Sequence, residues 1–141
     1  YNKVPLIQLK KEKESAEKYV KRLEIKTPGL NTLAGNLSGG NQQKISISKW
    51  LAADCDILII DEPTVGVDIG AKEYIHDLIW NLVTKENKTV ILISSDMNEI
   101  ISLARRILVF KDKKIAAELK GEDFFAKPGT EISAEIGKSF V

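Results

Sequence analysis

The sequence reads as an α/β fold with a mainly parallel sheet, flanking helices and a C-terminal antiparallel hairpin. Two aliphatic runs, at residues 57–60 and 90–93, have the unbroken hydrophobicity of strands buried on both faces, not the alternation of a strand with one wet face. A helix-period stretch separates them, and strand, helix, strand is the pattern of an α/β domain. Further on, residues 107–110 and 114–119 flank the turn Asp112-Lys113 and read as a two-stranded hairpin.

Each element has its own justification. Residues 11–24 predict an amphipathic helix, with Ala16, Tyr19, Val20 and Leu23 on one face and Glu14/Lys18 and Glu17/Lys21 as supporting pairs. Thr27-Pro28-Gly29 breaks the chain. Residues 39–53 predict a second helix, offering Ile45, Ile47, Trp50 and Leu51 for burial. In residues 68–84, Tyr74, Ile75, Leu78, Ile79 and Leu82 fall at helical spacing. Asn87-Lys88 turns the chain into the second aliphatic strand, and a short helix at 97–103 leads to the hairpin. Beyond Gly121 the pattern supports one short helix around 122–126 and little defined structure after it. The expected divisions are a helical region over about 1–53, a core over about 54–120 and a tail over 121–141.

Composition bounds the function. At 141 residues the chain is one domain's worth of sequence. Lys plus Arg number 21 against 20 for Asp plus Glu, a net charge of +1, which argues against a dedicated nucleic-acid binder with its basic patch. The aliphatic strand runs are only four residues long, far short of the roughly 20 that span a bilayer. No charged start with an apolar h-region follows Tyr1, so no signal peptide is read, and any membrane association comes through a partner. The missing initiator methionine reads as a segment of something longer. One cysteine, Cys55, allows no internal disulfide and reads as a small core residue; with a single histidine, His76, it makes no ordinary His/Cys metal cluster. His76 itself reads as a surface or packing residue.

The chemistry lies in two stretches. Leu37-Ser38-Gly39-Gly40-Asn41-Gln42-Gln43-Lys44 has the form of a helix start: a serine able to cap, then two glycines that permit close approach to the backbone. Open N–H groups at the positive end of a helix suit a phosphate. Asp54-Cys55-Asp56-Ile57-Leu58-Ile59-Ile60-Asp61-Glu62-Pro63-Thr64 is a strand that ends in adjacent carboxylates and a proline. Side chains alternate at the strand exit, so Asp61 can face a hydrated Mg²⁺ while Glu62 faces an attacking water.

In this order the two stretches resemble the signature and Walker B motifs of ATP-binding cassette (ABC) ATPases, a P-loop NTPase fold. The Asn41-Gln42-Gln43-Lys44 continuation is similar to the second nucleotide-binding domain of ribose-, galactose- and xylose-type importer ATPases. The resemblance runs from about Thr32 to Leu119. It implies that Ser38, Gly39 and Gly40, with Asn41 and Gln42 beside them, contact the γ-phosphate of an ATP held mainly by a partner nucleotide-binding domain of the same parent chain. The same resemblance implies that Asp61 would hold Mg²⁺ through water and that Glu62 would polarise the attacking water. The segment Pro63-Thr64-Val65-Gly66-Val67-Asp68 resembles the D-loop, which contacts the opposite protomer; Asp68 can also cap the following helix. Ser95 stands where the resemblance implies a histidine that contacts the γ-phosphate and the attacking water, and a hydroxyl neither reaches as far nor becomes cationic near neutral pH.

No G-x-x-x-x-G-K-[ST] phosphate loop occurs in the sequence; Gly137-Lys138-Ser139 imitates its end, but Ile132 occupies the first glycine's place. The expectation is therefore the C-terminal half of one nucleotide-binding domain, inactive alone. Its parent would be a peripheral ATPase on the cytoplasmic side of the membrane, docked on permease subunits and energising carbohydrate import. A non-catalytic module that supplies signature contacts, and an ATPase for nucleoside import, are the alternatives. ABC proteins of translation or chromosome maintenance fit less well, given the near-neutral charge and the lack of long heptads.

Overall fold

A computed structural model describes residues 8–139 of the chain; the outer ends of the expected helical region and tail lie outside the described residues. Helix α1 spans Leu9–Arg22 and is followed, after a 3-10 turn at Ala34–Asn36, by α2 at Gly39–Ala52. Strand β1 (Ile57–Asp61), helix α3 (Ile69–Thr84) and strand β2 (Thr89–Ile93) form a β-α-β unit whose strands pair in parallel, Ile57 opposite Thr89 and Asp61 opposite Ile93. Helix α4 (Met97–Leu103) leads to β3 (Arg106–Lys111) and β4 (Lys114–Lys120), an antiparallel hairpin that forms a separate sheet. Asp112 and Lys113 both take positive φ, 52° and 63°, as a two-residue hairpin turn matched to strand twist demands. The chain ends in α5 (Glu122–Phe125) and α6 (Gly129–Lys138).

Two apolar clusters hold these elements. The larger gathers Leu23 and Ile25 beyond α1, Ile47 and Leu51 of α2, Leu58 and Ile60 of β1, and Ile75, Leu78, Ile79 and Leu82 of α3. Tyr19 adds a polar tie, its hydroxyl donating to the Leu51 carbonyl at 2.8 Å. The smaller cluster packs Ile107 and Val109 of β3 on Ile132 and Ile136 of α6, with Met97, Ile100 and Ile101 of α4 at its margin.

Several expectations need correction. The aliphatic strands are buried on one face only: Leu58 and Ile60 are in the core, whereas Ile57 and Ile59 are 60% and 66% exposed and Ile91 and Ile93 about half exposed. A parallel sheet buries both faces only when both carry a covering layer, and among the described residues the helices cover one. Trp50 faces the same uncovered side, 60% exposed, and with Cys55, Ile57 and Ile59 lines an open groove of about 450 Å³. Cys55 is thus half-buried on that groove, not a core residue. Helix α1 forms the pair Lys13–Glu17, in which Glu17 takes the lysine one turn before it and not Lys21 one turn after. Helix α6 was unforeseen; Ile132 and Ile136, one turn apart, give it a face buried against β3.

Candidate functional site

The site begins at the entry to α2. Ser38 occupies the N-cap with an extended backbone (φ −60°, ψ 154°), yet its hydroxyl makes no capping bond. The Ser38 Oγ instead accepts from Asn41 Nδ2 at 2.8 Å, while Asn41 Oδ1 accepts the Lys26 amide at 2.8 Å. Gln42 Nε2 donates to the Leu37 carbonyl at 2.8 Å. The expected capping role therefore fails for a local reason: a side-chain amide one turn on takes the hydroxyl. The first amides of α2 stay uncapped at the positive end of its dipole, an arrangement that suits an anion.

The two glycines are needed by the chain itself. A Cβ on Gly39 would lie 2.7 Å from the Gly66 carbonyl oxygen, and one on Gly40 would lie 2.6 Å from the Ala71 Cβ. Carbon contacts settle near 3.5–4.0 Å, so any side chain here would push the D-loop-like segment and α3 off α2. Gly66, at φ +73°, turns that carbonyl inward in a conformation that favours glycine. Asp68 then caps α3, its Oδ1 accepting from the Ala71 amide at 2.9 Å.

At the exit of β1, Asp61 is exposed and Glu62 half-buried. Glu62 takes φ 45°, which turns the chain out of the strand. It is fixed on both main chain and side chain: its amide donates to the Ile93 carbonyl at 2.9 Å, and its Oε1 accepts the Ser95 amide at 2.9 Å. The Ser95 main chain, not its hydroxyl, therefore meets Glu62. Asp96, next in the chain, caps α4 by accepting from the amides of Asn98 at 2.9 Å and Glu99 at 3.2 Å. The Lys72 ammonium, followed by those amides, holds the Asp96 carboxyl below the usual carboxylate range.

The predicted residues thus fall into two groups. Ser38, Gly39, Gly40, Asn41 and Gln42 shape the entry to α2 with the loop before Asp68 pressed against it; Glu62 and Ser95 are bonded at the other end of that loop, beside Asp61. Lys26, Lys72 and Asp96 were not foreseen, because nothing in local sequence pairs residues so far apart. Gly137, Lys138 and Ser139 close α6 and form no strand-to-helix loop. Among the described residues no group of three or more His, Cys, Asp or Glu could hold a metal ion. A lone exposed carboxylate such as Asp61 suits Mg²⁺, which keeps its waters and takes the rest of its ligands from a substrate phosphate. No helix of the described residues is long and apolar enough to cross a membrane.

Comparison with known proteins gives one consistent picture. The ABC transporter family profile matches residues 2–65. The arabinose import ATP-binding protein AraG 2 of Burkholderia ambifaria is 45% identical over 114 residues, covering 81% of this chain and 22% of that protein. The ribose import ATP-binding protein RbsA of Clostridium tetani is 43% identical over 122 residues, 86% of this chain and 24% of that protein. The chain thus spans less than a quarter of the length of either relative. A dimeric ATP-binding cassette in a post-hydrolysis state, bound to ADP and Pi, superposes with a TM-score of 0.72 at 28% identity, over 83% of this chain and 50% of that one. With the motif order and the β-α-β unit that carries it, these likenesses show that the chain belongs to the ABC transporter ATPase family.

Proposed function

We propose that these residues form the C-terminal half of the second nucleotide-binding domain of a tandem sugar-importer ATPase. The observation that carries the catalytic part is the hydrogen bond from the Ser95 amide to Glu62 Oε1, which holds a carboxylate still at the exit of β1. Phosphoryl transfer needs positioning and charge neutralisation more than covalent help from the protein. Glu62, with Oε2 left for another partner, orients and deprotonates the attacking water. Asp61 would hold Mg²⁺, which would supply charge neutralisation on the phosphates. Ser38, Gly39 and Gly40 present the uncapped α2 amides to the γ-phosphate on the partner domain, with Asn41 and Gln42 bracing them. The segment before Asp68 faces the opposite protomer as a D-loop. ATP closes the two domains, and hydrolysis reopens them to drive carbohydrate import through permease subunits on the cytoplasmic side of the membrane. The match to half of a solved cassette agrees in size with half of one nucleotide-binding domain.

The Ser95 side chain lacks the imidazole that the family usually has at this position, so the composite site containing Glu62 is the slower of two. In the full-length protein assembled with its permease, Glu62→Gln is expected to lower steady-state ATPase activity less than the corresponding change in the partner domain. A loss of orders of magnitude from Glu62→Gln alone, with the partner change harmless, overturns that ranking. No effect of Glu62→Gln on either site favours a non-catalytic, signature-donating module. The 141 residues alone hold no phosphate loop, so calorimetric titration with Mg-ATP is expected to show weak binding or none, without measurable hydrolysis. Micromolar affinity refutes the assignment of the phosphates to missing segments.

A further inference from the structure

Helices α3 and α4 are joined by two polar rungs. The Lys72 ammonium meets the Asp96 carboxylate, and one turn along α3 His76 Nε2 lies 2.9 Å from Glu99 Oε1. The lower rung is structural: Glu99 is fully buried and His76 is its side-chain partner, with Oε2 left unbonded. The upper rung stands elsewhere. Lys72 lies one turn after Asp68, at the end of the segment whose Gly66 carbonyl sits against Gly39. Asp96 follows Ser95, whose amide holds Glu62. Asp96 divides its oxygens between two tasks: Oδ1 caps α4 and Oδ2 takes Lys72.

As a stability device this rung is worth little. Both side chains are about one-third exposed, so solvent screens their attraction. Its geometric reach is longer. Only Ser94, Ser95 and Asp96 connect β2 to α4, and Asp96 is tied back by its amide to Ser94 Oγ at 3.0 Å. Anchoring Asp96 to α3 therefore fixes the direction of the Ser95 N–H.

We propose that Lys72 is a positioning residue for Glu62, acting through Asp96 and the Ser95 amide. The proposal rests on the reading of Glu62 as the base. Its test uses the full-length protein assembled with its permease, with the partner domain's catalytic carboxylate changed to Gln so that turnover reports the site of Glu62. Lys72→Ala is expected to lower kcat about tenfold, because small misplacements of catalytic groups cost one to two decades in rate. The KM for ATP should stay within about twofold, since no binding contact is removed. Lys72→Arg should recover most of the rate. Asp96→Asn, which keeps Oδ1 for the cap, should resemble Lys72→Ala, and the double variant should be no slower than either. Amide hydrogen exchange in the same proteins provides a readout independent of turnover: exchange at Ser95 should accelerate in Lys72→Ala and return in Lys72→Arg. An unchanged kcat in Lys72→Ala, where Glu62→Gln still abolishes turnover, overturns the positioning role. So does Ser95 exchange that ignores Lys72. Turnover insensitive to Glu62→Gln in that background identifies the reading of Glu62 as the failure, and the positioning role falls with it.

Discussion

Ser38→Arg is expected to remove most of the ATPase activity of the full-length protein while leaving its melting temperature nearly unchanged. Ser38 is exposed at the entry to α2, so an arginine meets no wall of packed atoms. Its hydroxyl caps nothing, so the helix loses no capping bond; the loss is the contact with Asn41, itself still held by the Lys26 amide. A guanidinium at the positive end of the dipole costs roughly 0.3–1 kcal/mol, a minor term. Function should suffer far more. The uncapped amides are proposed to receive a phosphate, and arginine places bulk across their mouth. Loss of one preorganised donor to a transition-state oxyanion costs about 10²–10³ in rate, and blocking the whole cradle should cost at least that. Steady-state hydrolysis with parallel thermal unfolding is the check. An active variant, or one whose lost activity tracks a fallen melting temperature, contradicts this account.

Gly40→Ala should instead act through stability. Alanine favours a helix over glycine by about 1 kcal/mol, and at an open position that would decide the sign. Here the added methyl meets the Ala71 Cβ at 2.6 Å, with both carbons carried on helix backbone. Neither can swing away, so α2 and α3 must part. Overpacking of this kind costs about 1–3 kcal/mol, so the clash wins and the variant should melt several degrees lower. Ala71→Gly in the same chain removes the obstacle, and the double variant should regain most of the loss. Thermal unfolding of the two single variants and the double decides the point; no rescue by Ala71→Gly refutes the contact. Gly39→Ala has no such remedy, because its obstacle is the Gly66 main-chain carbonyl.

Local chemistry was legible and shared chemistry was not. The aliphatic runs located β1 and β2, the Asp112-Lys113 pair located the hairpin turn, and Asp68 was readable as a cap because each signal acts within a few residues. The motif pair disclosed the family for the same reason. One-sided burial of β1 was not readable, since it depends on what covers Ile57 and Ile59, not on their own hydrophobicity. Helix α6 hides behind two isoleucines whose partner strand lies more than twenty residues earlier. At the site, the sequence named Ser38 and Ser95 by their hydroxyls. The fold uses Ser38 as an acceptor for Asn41, and Ser95 as a peptide N–H. The ladder from Lys72 to Asp96 joins residues that share no motif and become neighbours only when α3 and α4 pack.

The left-handed backbone at Glu62 has a consequence for how this chain divides its loyalties. A side chain bearing a Cβ at φ 45° carries about 1–3 kcal/mol of conformational cost, which glycine would largely avoid. Glycine would also discard the carboxylate. The neighbouring main chain offsets the strain through the bond from the Glu62 amide to the Ile93 carbonyl. The strand exit is thus a point of local frustration, where the residue best for folding and the residue best for the proposed chemistry differ. The acid is held there by bonds from β2 and the Ser95 peptide, so the proposed reaction centre depends on the pairing of β1 with β2 as well as on its own side chains.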